Sequence, residues 1–455
     1  MLDILNGISS IVWGVPGLVL ILGTGIWLTY RTGFAQFRLF PVALKAFLHP
    51  SKRGDKKERS SYKALCTALA ATIGTGNLAG VAGAIAIGGP GAVFWMWICG
   101  ILGMIIKFAE ATLAVCYQVK DAHEGFLGGP MYMITQGLPS GMHWLAGVYS
   151  FLGLAASFGV GNGTQINTVI VSIHSACSGF GLTWSKGMDL FAGAVLAVLI
   201  YVLFSGGGKR ISTITEKLIP FAAGSYILLC IFVICARASS VPAAFNSIVH
   251  SAFSPQAITG GAVGSAFTAL RVGACRGVFT NEAGMGTASI AHGTADVNHP
   301  IEQGFMGIIE VFIDTLVICT MTALVILCSG VSVPYGTDPG IELTNEAFTL
   351  VCGQWVGVFI TISLCLFAVA TVLGWGFYGG RCAQYLFGKS SWKWYVIGQS
   401  VMTFAAVLFR SNYIWSFSEI LNGLMSIPNL LALILLCPVL VKVLREYRIE
   451  KASKS

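Results

Sequence analysis

Ala70-Ala71-Thr72-Ile73-Gly74-Thr75-Gly76-Asn77-Leu78 lies inside an apolar run from about 64 to 88, and it decides the fold. A second stretch of the same character, Thr280-Asn281-Glu282-Ala283-Gly284-Met285-Gly286-Thr287, lies inside the run from about 258 to 292. Each sets glycines and small polar residues within a hydrophobic helix. In lipid an unpaired backbone N–H or C=O is expensive, so a helix is interrupted only where protein, water, ion or substrate meets the freed groups. Interrupted helices at matching positions of two halves point to the binding site of a secondary transporter.

The rest of the chain supports a membrane setting. Of its 455 residues 55% are hydrophobic and 10% charged, and the mean hydropathy is +0.78. Soluble domains carry about 25% charge. Apolar runs near 10–30, 64–88, 91–118, 143–174, 188–205, 217–236, 258–290, 304–328, 351–378, 394–410 and 414–440 have the length, about 20 residues, that crosses a bilayer. The expectation is an all-α integral membrane protein with about 11 transmembrane helices.

The net charge of +8 calls for no nucleic-acid partner, because its distribution follows the spans. Lys and Arg number 9 in 31–63, 1 in 119–142, 3 in 206–217, 3 in 379–393 and 5 in 441–455, all on one side of the alternation. The other side holds Lys186, Arg237 and Arg410. The positive-inside rule then puts the N-terminus outside and the C-terminus in the cytoplasm. No basic segment precedes the first apolar run, so that run is read as a retained helix rather than a cleaved signal. The 13 cysteines are scattered among apolar residues with no C-x-x-C pair, and the 7 histidines show no metal-binding spacing. No cofactor is expected. No nucleophile–base constellation is evident either, which argues against an intramembrane enzyme.

Five domains follow. An extra N-terminal transmembrane helix occupies 1–30, and a basic cytoplasmic loop 31–63 carries an amphipathic helix over 34–48. The first five-helix repeat covers 64–237, the second 258–440, and a basic tail 441–455. Five is odd, so the second group enters the membrane from the opposite side, which is the arithmetic of an inverted repeat. Gly88-Gly89-Pro90-Gly91 reads as a tight outer turn and Gly206-Gly207-Gly208-Lys209-Arg210 as an inner loop.

Chemistry concentrates at the breaks. N–H groups at Thr75, Gly76 and Asn77 start the second half of the first broken helix and suit a carboxylate. Carbonyls of Ala70, Thr72 and Ile73 end its first half and suit a hard cation such as Na⁺. In the second break Glu282 has three readings: it receives the amino group of a zwitterion, helps bind a cation, or caps the half-helix. Asp314 is a candidate cation or proton site, or else the partner of Arg271 or Arg276. Lys107 and Glu110, an i,i+3 pair, are expected to neutralise each other. Thr371 and Trp375 lie one turn apart, a hydroxyl for Na⁺ and a ring to wall a small site. Asn162 and Gln165 are candidates for the substrate's polar groups.

Thr75-Gly76-Asn77 through Gly80-Val81-Ala82, Gly88-Gly89-Pro90-Gly91-Ala92-Val93-Phe94-Trp95-Met96-Trp97, Lys107-Phe108-Ala109-Glu110, Gly129-Pro130-Met131-Tyr132, Asn281-Glu282-Ala283-Gly284-Met285-Gly286, His299-Pro300 and Val311-Phe312-Ile313-Asp314-Thr315-Leu316 resemble the alanine or glycine:cation symporter family. The resemblance runs from about 10 to 440. It implies the LeuT-type fold, a 5+5 inverted repeat preceded here by one extra helix, and Na⁺-driven uptake of a small neutral amino acid. Apart from the resemblance, the lack of long extramembranous stretches suits a bacterial inner membrane. The resemblance places the substrate carboxylate on Thr75 and Gly76. One sodium falls near the carbonyls of Ala70 and Ile73, completed by Ala368 and Thr371; Asn77 and the Thr72 carbonyl face a second. The remaining cage is Gln165, Phe279, the backbone of Thr280, Asn281, Glu282, Ala283 and Gly284, and Trp375, with Phe279 and Trp375 limiting the side chain to hydrogen or methyl. Val372 departs from the pattern, since that position often bears a hydroxyl in the fold. Lys217 raises H⁺ as the rival coupling ion, because a lysine near the sodium site replaces Na⁺ in some relatives; Glu216 is its expected partner.

Overall fold

The computed structural model describes residues 7, 12–49, 56–122, 124–179, 181–253, 266–408 and 411–454. The stretch that opens the expected span 258–290 therefore lies outside the described residues. Helices are α1 (Val15–Thr32), α2 (Ala35–Leu48), α3 (Lys56–Thr72), α4 (Val81–Gly88), α5 (Gly91–Cys116), α6 (Pro130–Gly137), α7 (Trp144–Phe158), α8 (Thr164–Gly179), α9 (Lys186–Ser205), α10 (Gly207–Ala236), α11 (Val241–Phe253), α12 (Ala266–Asn281), α13 (Thr287–His292), α14 (Pro300–Val311), α15 (Thr320–Ser329), α16 (Glu342–Cys352), α17 (Val356–Phe387), α18 (Ser391–Ala406) and α19 (Ser411–Lys454).

Among the described residues seven continuous helical stretches are long and apolar enough to cross a bilayer, and two bent pairs raise the number to nine. The bent pairs are α1 with α2 at 80°, and α3 with the Gly76–Gly88 segment at 55°. The first bend falls at Gly33 and Phe34, both in the left-handed region with φ 65° and 58°. The two other expected spans correspond to α12 with α13, and to α18. The described residues of α12 and α18 number 16 each, about 24 Å of helix at 1.5 Å per residue.

Among the described residues three wide π-type turns interrupt otherwise regular helices: Gly76–Gly80, Gly159–Gly163 and Phe312–Cys319. Such turns leave backbone groups less tightly paired and recur at functional sites. Small residues let the helices between them approach closely. A Cβ on Gly307 of α14 would stand 2.6 Å from the Lys107 carbonyl oxygen of α5, and one on Gly374 of α17 2.6 Å from the Ala71 nitrogen of α3.

One sequence expectation about a connection is corrected. The 206–210 glycines do not make a loop: α10 starts at Gly207, and Gly206 alone separates it from α9. The regular structure of the described residues is helical apart from one short hairpin. Val119–Asp121 and Gly125–Leu127 pair antiparallel, with Lys120 opposite Phe126. This hairpin joins the end of α17: Arg381 pairs with Glu124, and Lys389 with Asp121 at 2.6 Å. Arg59 and Lys63 of α3 pair with Glu216 of α10 at 3.2 and 3.3 Å. Those pairs take the carboxylate expected to face Lys217, which is exposed; adjacent helical residues do not face each other.

Candidate substrate and ion site

α3 stops at Thr72, and Ile73-Gly74 breaks the helix before it restarts toward the wide turn at Gly76. Gly74 is required by contact: a Cβ there would stand 2.6 Å from Thr371 Oγ1. That hydroxyl, on α17, donates to the Ile73 carbonyl at 3.4 Å. Ala70 and Ala368 are fully buried in the two facing helices. Thr72 turns its hydroxyl back onto its own helix, 3.4 Å from the Ala68 carbonyl. Thr75 Oγ1 donates to Gln165 Oε1 of α8 at 3.2 Å. Gln165 in turn donates to the Val160 carbonyl in the wide turn at 3.2 Å. Asn162, three residues earlier, goes elsewhere. It donates to Gln399 Oε1 at 2.6 Å and accepts from Thr403 at 3.1 Å, so it serves the packing of α18 rather than this site.

The second break runs from Glu282 to Gly286, with φ of 54°, 91° and 78° at Glu282, Gly284 and Gly286. Left-handed φ at a glutamate is uncommon, and the side chain is held at both oxygens. Trp375 Nε1 donates to one at 2.7 Å, and Thr287 Oγ1 to the other at 2.7 Å. Glu282 therefore ties the break to α17 and to the start of α13. Trp375 is itself wedged against the wide turn, since a Cβ on Gly161 would collide with its Cβ. The two breaks approach at Gly76, where a Cβ would stand 3.3 Å from Thr280 Cγ2 and 3.8 Å from Phe279 Cδ1. Gly76 and Phe279 are half-buried, while Thr75, Asn77, Gln165, Thr280, Asn281, Glu282, Ala283, Thr371 and Trp375 are buried.

Asp314, in the third wide turn, connects both breaks. Asn77 Nδ2 donates to its Oδ1 at 2.7 Å, and Asn77 Oδ1 accepts from the Gly74 N–H at 2.9 Å. Thr315 donates to its Oδ2 at 2.8 Å and accepts from Asn281 at 3.2 Å. The partnership with Arg271 or Arg276 does not occur. Arg276 pairs with Asp338 at 3.0 Å, and Arg271 is exposed.

The expected Lys107–Glu110 pair is also corrected. Lys107 Nζ meets Glu310 Oε1 of α14 at 2.8 Å, with both side chains fully buried. Glu310 Oε2 bonds His292 Nε2 at 2.9 Å, His292 Nδ1 meets Gln303 Nε2 at 2.6 Å, and Gln303 Oε1 accepts from Ser61 at 2.6 Å. Glu110 instead accepts the backbone N–H groups of Gly284 and Gly286 at 3.0 and 3.1 Å. Sequence reasoning missed Glu310 as Lys107's partner, and missed His292, Gln303 and Asn429 altogether. A histidine six residues beyond a break and an amide directly after Pro428 in an apolar run are the signals that point to two of them.

Interrupted helices that meet at a buried polar site, inside a bundle of membrane-length helices, define a secondary transporter. The model of the sodium:alanine symporter family matches residues 1–455. The chain is 40% identical over 461 residues to a sodium/alanine symporter, AgcS, of Methanococcus maripaludis, covering 100% of this chain and 99% of that one. It is 37% identical to the amino-acid carrier protein AlsT of Bacillus subtilis, covering 98% of this chain and 92% of that one. Its fold is like that of MhsT, solved in complex with L-phenylalanine, with a TM-score of 0.58 at 15% identity over 82% of this chain and 88% of that one. The chain belongs to the sodium:alanine symporter family. It is a multi-pass membrane transporter and not an enzyme.

Proposed function

We propose that the protein carries alanine, and glycine by the same site, into the cell together with Na⁺, by alternating access across a 5+5 inverted repeat. One observation carries the reading: Thr371 Oγ1 stands 3.4 Å from the Ile73 carbonyl oxygen, where the first helix is interrupted. Those two oxygens begin an oxygen-only environment of the kind that suits a hard cation, and in this reading the carbonyls of the buried Ala70 and Ala368 complete it. The substrate carboxylate lies on Thr75 and Gly76, and its amino group faces the second break. Phe279 and Trp375 bound the side chain, so hydrogen or methyl fits. Substrate and ion then bridge the two breaks, their differential affinity for the two access states couples binding to the change of access, and the Na⁺ gradient drives the cycle.

The N-terminus is outside and the C-terminus cytoplasmic in this reading. In support, ion pairs join the basic segments to one another: 59–63 to Glu216, and 381–389 to the 121–124 hairpin. The rival coupling ion is H⁺ at Asp314, favoured by the hydrogen bonds that tie this carboxylate to both breaks. Uptake of labelled alanine into proteoliposomes, under an imposed Na⁺ gradient or an imposed pH gradient, tests the proposal. Accumulation with Na⁺ alone supports it. Accumulation with the pH gradient alone moves the coupling to Asp314, and no accumulation with either refutes the substrate.

A further inference from the structure

Glu110 is fully buried on α5 and belongs to neither break. One of its oxygens, Oε1, nevertheless receives three donors: Gly284 N–H at 3.0 Å, Gly286 N–H at 3.1 Å and Asn429 Nδ2 at 2.7 Å. Asn429 of α19 also donates to the Gly284 carbonyl at 2.9 Å. Ser289, beyond the break, donates to the Glu110 backbone carbonyl at 3.4 Å. Two glycines in left-handed conformations are thus held at their N–H groups by one carboxylate oxygen. Successive backbone N–H groups in such a turn form a concavity that favours an anion, and the hydrogen bonds are charge-assisted. Here the anion is a side chain from another helix.

We propose that Glu110 is a positioning residue for substrate: with Asn429 it fixes the shape of the second break, and so the aim of the Thr280–Gly284 backbone. This rests on the transport reading above. Glu110 does not touch the substrate. It acts through Gly284 on the backbone that does, and through the same turn on Glu282, whose Oε1 holds the Trp375 indole at 2.7 Å. A loosened turn therefore loosens both the backbone and one wall of the site.

The test compares Glu110→Gln, Glu110→Asp and Asn429→Ala in proteoliposomes, with alanine KM, maximal rate and the amount of folded protein measured for each. Gln keeps an acceptor at the same reach. Asp keeps the charge but falls one methylene short of the glycine N–H groups. A positioning acceptor predicts a small rise in KM for Glu110→Gln, about threefold, and a larger one for Glu110→Asp, about tenfold or more, as two charge-assisted bonds are lost. Asn429→Ala raises KM in the same direction. The opposite order, with Asp close to the unsubstituted protein and Gln inactive, overturns the proposal and makes Glu110 a proton carrier. Changes confined to the amount of folded protein, with KM fixed in all three, overturn it as well. Failure of the unsubstituted protein to accumulate alanine refutes the transport reading instead.

Discussion

Replacing Lys107 by Met removes one partner of a buried ion pair and keeps most of the side-chain volume. The pair is closed at 2.8 Å with neither side chain exposed. At an effective dielectric of about 20, Coulomb attraction at that distance is about 6 kcal/mol. The desolvation of each ion, several kcal/mol, offsets most of it, so the intact pair contributes little net stability. Removing only the lysine is different. Glu310 keeps its buried position and His292 at 2.9 Å, but loses its countercharge, and the loss is about 3–5 kcal/mol. The assay is thermal unfolding of the purified transporter in detergent, followed by tryptophan fluorescence and by monodispersity after heating. Lys107→Met lowers the unfolding temperature strongly, and Lys107→Met with Glu310→Gln recovers most of the loss. A double variant no more stable than the single one would show that the lysine acts through something other than Glu310. A single variant as stable as the unsubstituted protein would show that the charge is not held as the geometry indicates.

Thr371→Ala removes the hydroxyl at the first break and raises the Na⁺ concentration for half-maximal alanine uptake by about tenfold, the equivalent of ~1.4 kcal/mol; unchanged Na⁺ dependence sinks the assigned ion site. Trp375→Phe removes the bond to the buried Glu282 carboxylate, worth about 1.5–3 kcal/mol, and raises alanine KM tenfold or more, which concentration-dependent uptake reads directly. His299 Nδ1 accepts the Ile301 N–H at 3.2 Å at the start of α14, and burial pushes its pKa below the ordinary 6.5. The neutral ring is the capping form, so this contribution is present above the unfolded-state pKa and is lost as pH falls through the lowered folded value. Amide exchange at 301–303, corrected for intrinsic rate, should quicken on acidification through that range and stay level in His299→Ala.

The two breaks were legible because a glycine pair inside a hydrophobic run has few other uses in lipid. The one-turn spacing of Thr371 and Trp375 puts them on one helix face, and both side chains meet the breaks. Partners distant in sequence were not legible. Lys107 has Glu110 three residues away, and sequence offers no reason to prefer Glu310, which is 203 positions later; only the packing of α14 on α5 brings it near. Asn162 and Gln165 look alike in the chain, yet their helix turns one toward α18 and the other toward the first break. The 206–210 glycines read as a loop because glycine disfavours helices, whereas here the helix continues from Gly207 and ends in an apolar stretch that packs. The small hairpin after α5 is 3 residues per strand, too short for any alternation to register.

The buried row from Ser61 to Lys107 has a direction. Lysine can only donate, and the serine hydroxyl is spent as a donor on Gln303 Oε1. The Gln303 amide must then donate to His292 Nδ1, which leaves the ring proton on the nitrogen facing Glu310. Every proton in the row points toward one carboxylate, from both ends. No member can be turned around by itself without setting two donors or two acceptors against each other. The first half of the first broken helix, through Ser61, and the end of the second, through His292, are therefore joined by a register of protons that is either whole or wrong. Sideways slippage of the two halves has no intermediate setting.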